Sequence, residues 1–191
     1  MLRLFSRTIG SALGALALQA SATTITIADN EWHAFDVDEF TATSGGLEWI
    51  DITDGSPLNF TLTLTDDAIL RVVDGGWSGD TFRVLSNDTP LGITSPAPNN
   101  VTVEQLPATQ AGFNAAWADP GFFSKASYVL SAGTYSITGV LNTSATFDGT
   151  GPLNATVGAV LLAPVPEPTG ALMLLAGLGV VALRFRTRHR S

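Results

Sequence analysis

The central part of the chain alternates between apolar and polar residues, as a strand with one buried face does. The clearest example is Leu58–Leu64, where Leu or Phe occupies every second position and Asn or Thr the positions between. Similar patterns predict further strands at 24–27, 47–53, 68–73, 81–85, 126–130, 133–141 and 154–162. Because short strands separated by Gly, Pro, Asn and Asp are typical of all-β proteins, we predict a single antiparallel β-sandwich or jelly roll. The stretch 107–120 is predicted to be a loop or a helical turn.

The N-terminal segment has the pattern of a secretory signal peptide. Arg3 and Arg7 precede an uncharged, largely apolar run, and Ala20 and Ala22 place small residues where signal peptidase requires them. We therefore expect residues 1–22 to be removed by signal peptidase, with cleavage after Ala22.

The C-terminal segment has the pattern of a short membrane anchor. Residues 169–183 carry no charge and would span about 22 Å as a helix, somewhat less than the ~30 Å hydrocarbon core. A basic cluster follows at once, formed by Arg184, Arg186, Arg188 and Arg190. Such a cluster stops transfer and stays on the cytoplasmic side. The sequence therefore predicts a membrane-anchored precursor whose ectodomain, at 23–163, faces outward.

A proline-rich stem joins the ectodomain to this anchor. Pro166, Glu167 and Pro168 hold the backbone extended directly before the apolar helix. Pro-Glu-Pro, a short apolar helix and a terminal arginine cluster together resemble the PEP-CTERM sorting signal of Gram-negative bacteria, at 164–191. The resemblance implies that the membrane enzyme exosortase recognises Pro166, Glu167 and Pro168. It also implies that the precursor is held in the inner membrane with a periplasmic ectodomain. After export, an association with exopolysaccharide, biofilm or the cell surface is implied.

Charge and composition narrow the function further. Between Thr23 and Val165 there are 16 acidic residues and three basic ones, a net charge of −13, which disfavours nucleic acid as a partner. The chain has no cysteine, so disulfides, thiolate metal sites and thiol nucleophiles are excluded.

A glycine-rich segment from Asp74 to Asp80 is the best metal candidate. Calcium prefers carboxylates and carbonyls gathered on one loop, and Asp66 and Asp67 are close in sequence. The spacing matches no EF-hand. Aspartates that bond their own backbone in a turn would explain the same residues, so a calcium site at Asp74 and Asp80 and a purely structural turn both remain open. No other cofactor is expected.

Aromatic side chains suggest a second kind of site. Of the four tryptophans, Trp77 lies among Gly and Ser and is the one expected to be exposed, where it could stack on a sugar ring of an extracellular polysaccharide. Large aromatic residues of sandwiches mostly fill the core, which is the expectation for most of the others.

Hydrolytic chemistry has little support in the sequence. A Ser–His–Asp set would have to use His33, with Asp36 and Asp38 nearby, and no Gly-x-Ser-x-Gly elbow is present. A glycosidase carboxylate pair has no local signature. We therefore expect a non-catalytic exported surface protein. A carbohydrate-binding module and a secreted hydrolase are the alternatives.

The ectodomain also resembles a recurrent domain of secreted proteins, PEP-CTERM proteins among them. The shared segments are Val72–Asp74, Gly79–Val84 and Leu91–Ser95, with a closing hairpin at 131–137. This resemblance implies the sandwich and no particular activity.

Overall fold

A computed structural model of the chain describes residues 21–28, 30–98, 105–147 and 151–165. The described residues form ten strands and one helix, in the following order: β1 (Thr23–Thr26), β2 (His33–Asp38), β3 (Leu58–Leu64), β4 (Ala68–Trp77), β5 (Thr81–Ser86), β6 (Thr89–Ile93), β7 (Gln105–Leu106), α1 (Gln110–Ala118), β8 (Lys125–Leu130), β9 (Gly133–Thr143) and β10 (Ala155–Pro164).

The strands form two sheets that pack face to face, which confirms the predicted all-β sandwich. The first sheet has the order β1-β3-β9-β5-β6. The second has the order β2-β10-β4, with β8 and β7 both pairing with the free edge of β4. All pairings between these strands are antiparallel except that of β1 with β3, which is parallel.

The main core fills the space between the two sheets and is rich in aromatic rings. Phe35 stacks on Trp49 with ring centroids 4.0 Å apart and meets the edge of Phe82 at 5.0 Å. Gly139 is required beside them, because a Cβ atom at this position would lie 2.3 Å from the Trp49 ring. The inward residues of the strands therefore close around a stacked aromatic centre.

A second, smaller core lies on the outer face of the second sheet, which α1 covers. Phe113 and Ala116 of the helix pack with Val73 and Trp32. The Thr109 side chain caps the helix by accepting a hydrogen bond from the backbone N–H of Gly112. The stretch predicted to be a loop or helical turn is thus a nine-residue helix, held in place by its buried face.

The predicted strand at 47–53 is wrong. This segment makes only isolated bridges, from Glu48 to Val140 and from Ile50 to Asp36 and Pro57. Since Val140 belongs to the first sheet and Asp36 to the second, the segment crosses between the sheets and cannot continue as a strand in either. Its alternation instead reflects burial of Trp49 and Ile50 in the main core.

Other differences between the predicted and the observed strands arise because the strands pair with partners that are distant in sequence. Strands β2, β6 and β7 lie outside the predicted strands, and β4 continues past the predicted end to Trp77. The expected hairpin at 131–137 is also wrong, because β8 pairs with β4 whereas β9 pairs with β3 and β5. The chain there passes from one sheet to the other.

Candidate functional site

The segment from Asp74 to Asp80 forms the corner at which the chain leaves one sheet and enters the other. Strand β4 belongs to the second sheet and β5 to the first, so this connection is a crossover between layers. One carboxylate oxygen of Asp74, Oδ2, accepts hydrogen bonds from the backbone N–H groups of Gly79 and Asp80, both at 3.1 Å. Asp74 therefore holds the corner closed, as the turn interpretation of the sequence predicts.

Strand alternation directs the polar residues of this corner into the sandwich. Asp74 is in phase with Leu70 and Val72, which belong to the main core, and its side chain is 0% exposed. Asp80 lies two residues before Phe82 of the same core and is 1% exposed. Both carboxyl groups thus lie inside the protein, at one end of the space between the sheets.

A third strand contributes a hydroxyl to the same end. Thr156 of β10 is in phase with the core residue Val160 and is buried. It precedes Val157, which is paired with Gly75 of the corner, and its hydroxyl influences the ionisation of Asp80. From the segment that follows β9, the backbone N–H of Ala145 donates a hydrogen bond of 2.8 Å to Asp80 Oδ1.

Both aspartates are harder to ionise than usual. Burial raises the pKa of Asp80 to about 6, against the opposing effects of the Ala145 N–H and the Thr156 hydroxyl. Burial also raises the pKa of Asp74 well above its ordinary value, and the neighbouring Asp80 carboxylate raises it further. The two residues are in direct contact, since the Asp80 backbone N–H donates to Asp74 Oδ2 at 3.1 Å.

Four buried oxygens at this corner have no hydrogen-bond partner among the described residues. They are Asp74 Oδ1, Ser78 Oγ, Asp80 Oδ2 and Thr156 Oγ1. Although Thr156 affects the pKa of Asp80, the two side chains make no hydrogen bond of ordinary geometry. Buried polar groups are usually satisfied. Elsewhere in the described residues the unpartnered buried side-chain atoms are Trp49 Nε1, Arg71 Nε and Tyr128 Oη, whereas the corner brings four oxygens together.

The other two aspartates of the calcium prediction lie elsewhere. Asp66 and Asp67 are exposed in the turn before β4, at the opposite end of that ten-residue strand from Trp77. Within the described part of the chain, no group of three or more His, Cys, Asp or Glu side chains is placed to hold a metal ion. Any cation at the corner would therefore have only two carboxylates.

The sequence did not single out Ser78 or Thr156. The available signal was a Thr in the inward phase of an otherwise apolar strand, β10, and a Ser between the two aspartates. Neither residue type is unusual in a strand or turn. Only the crossing of the chain between the sheets brings them to the same end of the core.

The four tryptophans have different environments. Trp77 ends β4 and is 37% exposed, whereas Trp49 and Trp32 are buried and Trp117 is half-buried beside Arg71 and Lys125. The indole N–H of Trp32 donates to Asn114 of α1 at 2.9 Å. Trp77 is thus the tryptophan with an accessible face, and the glycan-stacking role predicted for it stays a prediction.

Most of the predicted sorting and processing residues lie outside the described residues. These are the exosortase-recognition residues Pro166, Glu167 and Pro168, the membrane-stop arginines Arg184, Arg186, Arg188 and Arg190, and Ala20. Ala22 is described and exposed, directly before β1. No helix within the four described ranges has the length and apolarity that a membrane span requires.

Comparison with protein families decides what the C-terminal stem is. A family model of the PEP-CTERM protein-sorting motif matches residues 164–190. The chain carries a PEP-CTERM sorting motif. This motif implies an exported, membrane-anchored precursor that exosortase processes for the cell surface.

The other comparisons concern the ectodomain that the PEP-CTERM motif follows. No curated protein matches the chain significantly. Among solved structures, the chain is similar to the pre-peptidase C-terminal domain of a collagenase from Bacillus anthracis, with 8% identity and a TM-score of 0.38 over 76% of this chain and 98% of that one. At this level the similarity supports no inference about the ectodomain.

Proposed function

We propose that the protein is a non-catalytic surface or matrix component that associates with exopolysaccharide after exosortase has processed it. The match to the PEP-CTERM motif at 164–190 is the observation that carries the proposal. The ectodomain ends with β10 at Pro164, so the proline stem begins where the sandwich stops. Cleavage at or after the Pro-Glu-Pro element would therefore remove no part of the sandwich.

The N-terminal boundary supports export by a cleaved signal peptide. Strand β1 begins at Thr23, the residue after the expected cleavage site, and pairs along its whole length with β3. Cleavage after Ala22 would thus remove no part of the sandwich. It would leave a periplasmic ectodomain whose first residue is already part of the sheet.

The environments of the titratable groups favour a non-catalytic role. The two carboxyls with the most strongly raised pKa values, Asp74 and Asp80, are completely enclosed, so no substrate can reach them. Along β2, His33 is two residues from Phe35 and hence on the same face, whereas Asp36 and Asp38 fall on the opposite face. This alternation separates the imidazole from its nearest candidate carboxylates.

Intact-mass analysis of the protein from cells with and without exosortase tests the proposal. We expect an N-terminus at Thr23 in both strains and a C-terminal truncation near Pro168 only where exosortase is present. The double substitution Pro166→Ala with Pro168→Ala should abolish this difference, because it removes both prolines of the Pro-Glu-Pro element that exosortase is expected to recognise. Pro90→Ala, at an exposed proline of β6 outside the sorting motif, is the matched control and should be processed normally. An identical mass in both strains would contradict exosortase processing.

A carbohydrate-binding module is the second candidate, favoured by the exposed ring of Trp77. Exposed aromatic side chains offer an apolar face with a polar edge, which suits contact with a partly apolar ligand. In this case the ectodomain itself would retain the polysaccharide, and the binding would depend on Trp77.

A further inference from the structure

The corner between β4 and β5 has two separate sets of carboxylate contacts. Asp74 Oδ2 and Asp80 Oδ1 are fully used by backbone N–H groups, which explains why the corner folds as it does. The second oxygen of each carboxylate, Oδ1 of Asp74 and Oδ2 of Asp80, has no hydrogen-bond partner among the described residues. A purely structural turn accounts for the first pair of oxygens and leaves the second pair unexplained.

The unexplained atoms are all oxygens, and all are buried. Besides the two carboxylate oxygens they include the hydroxyls of Ser78, which is 0% exposed, and of Thr156, which is more than nine-tenths buried. A buried carboxylate without a partner is strongly unfavourable. Several acceptor oxygens at one place can be satisfied together by a single cation.

No Lys or Arg of the described residues is placed to serve this purpose. Arg83 is exposed, on the face of β5 opposite the core residues Phe82 and Val84. Lys125 donates from Nζ to the backbone carbonyls of Trp117 and Asp119, at the end of α1. Arg71 lies over the Trp117 ring, on the outer face of the second sheet. Both positive charges are thus engaged on the face away from the space between the sheets.

We propose that Asp74, Ser78, Asp80 and Thr156 form a buried calcium site that ties the two sheets together at the β4–β5 corner. The two carboxylates would neutralise a divalent cation. The donor set contains only oxygen, which suits Ca²⁺ and excludes metals that prefer nitrogen or sulfur. Ca²⁺ takes six to eight oxygen ligands, so carbonyls of the corner or water would supply the rest. Mg²⁺ retains its water more strongly and fits an enclosed site less well.

The location of the site gives the cation a structural effect. Asp74 belongs to the second sheet through β4, Thr156 to the same sheet through β10, and Asp80 leads into β5 of the first sheet. A cation bound to all three would link the layers where the chain crosses between them. Extracellular modules bind Ca²⁺ weakly, with dissociation constants of about 10⁻⁴–10⁻³ M, which fits a protein that functions outside the cytoplasm. The site does not depend on the proposed exopolysaccharide role.

The test uses the full chain purified in detergent, stripped with EGTA at neutral pH and then titrated with Ca²⁺ or Mg²⁺. We expect saturating Ca²⁺ to raise the melting temperature by about 5 °C and Mg²⁺ to raise it much less. Asp80→Asn should abolish the rise while preserving the bond from Ala145, and Thr156→Val should weaken Ca²⁺ binding about tenfold or more. Asp67→Asn, an exposed aspartate outside the corner, is the matched control and should behave like the wild type.

Terbium luminescence gives a second readout that does not require unfolding. Tb³⁺ occupies calcium sites and is excited by nearby tryptophan, and Trp77 lies three residues from both Asp74 and Asp80. The luminescence should be competed by Ca²⁺, lost in Asp80→Asn and reduced in Trp77→Phe, whose Ca²⁺-dependent melting temperature should be unchanged. A wild-type protein with no Ca²⁺ effect, an equal effect of Mg²⁺, or an equal effect in Asp80→Asn would each overturn the proposal.

Discussion

The space between the two sheets has an aromatic part and a polar end, and the two are stabilised differently. In the aromatic part Phe35, Trp49 and Phe82 pack on one another, and the one unpartnered polar atom of these three rings is the uncharged indole nitrogen of Trp49. At the polar end Asp74 and Asp80 are just as deeply buried, yet each keeps an unpartnered oxygen. Equal burial therefore has opposite consequences for stability. Removing apolar surface from water stabilises the folded state, whereas burying a carboxylate oxygen without a partner destabilises it.

The largest effect is expected from removing a ring of the aromatic part. Phe35→Ala should lower the free energy of unfolding by about 3–5 kcal/mol, because the Trp49 and Phe82 rings would lose their common neighbour and line a cavity. Phe40→Ala is the matched control, since Phe40 is 86% exposed and should change stability by less than about 0.5 kcal/mol. Chemical denaturation of the two variants measures both values. Similar losses in the two variants would contradict the described core.

The second effect, of intermediate size, concerns the charge at the polar end. The pKa of Asp80 is raised from 3.8 to about 6, so between these pH values the native state holds a proton that the unfolded chain has released. The free energy of unfolding in EGTA should therefore rise as the pH falls through about 6, with the gain complete below about pH 4. Since one pKa unit corresponds to about 1.4 kcal/mol, Asp80 contributes at most about 3 kcal/mol.

Asp80→Asn isolates this contribution. The groups that act on Asp80 are the Ala145 N–H and the Thr156 hydroxyl, and Asp74 is the coupled acid. The variant should be no less stable than the wild type in EGTA at pH 7.5 and should have a smaller pH dependence between pH 7.5 and pH 5. Denaturant titrations at the two pH values measure both quantities. An unchanged pH dependence would contradict the assignment of the raised pKa to Asp80.

The sequence predicted those parts of the fold that depend on local alternation. Leu58–Leu64 matches β3 residue for residue because its inward-facing residues are all apolar. The strand at 154–162 matches β10 closely because β10 is largely apolar on both faces. The segment 47–53 has the same alternation and is not a strand, because its hydrogen bonds go to two different sheets. Alternation reports which side chains are buried and carries no information about the pairing partner.

The candidate site was predicted in part for the same reason. The sequence analysis selected Asp74 and Asp80 because these two acids flank a glycine-rich segment. The structure has the turn at this segment, as that local pattern predicts. That the turn crosses between sheets, and that Thr156 joins it from 76 residues away in the chain, depends on the strand order. Asp66 and Asp67 were grouped with them by proximity in sequence, and the length of β4 keeps them apart.

The smallest effect on stability is expected at Trp77, at the outer edge of the polar corner. The same substitution also distinguishes a carbohydrate-binding module from a surface component whose role does not depend on Trp77. Because its ring is 37% exposed, Trp77→Ala should change the free energy of unfolding by no more than about 0.5 kcal/mol. Trp32→Ala, which removes a buried ring and its bond to Asn114, should cost about 3 kcal/mol or more. Binding to purified exopolysaccharide is then measured for wild type and Trp77→Ala. Loss of binding without loss of stability would identify the ectodomain as a carbohydrate-binding module, whereas equal binding would exclude stacking on Trp77 and leave the surface role of the sandwich independent of that ring.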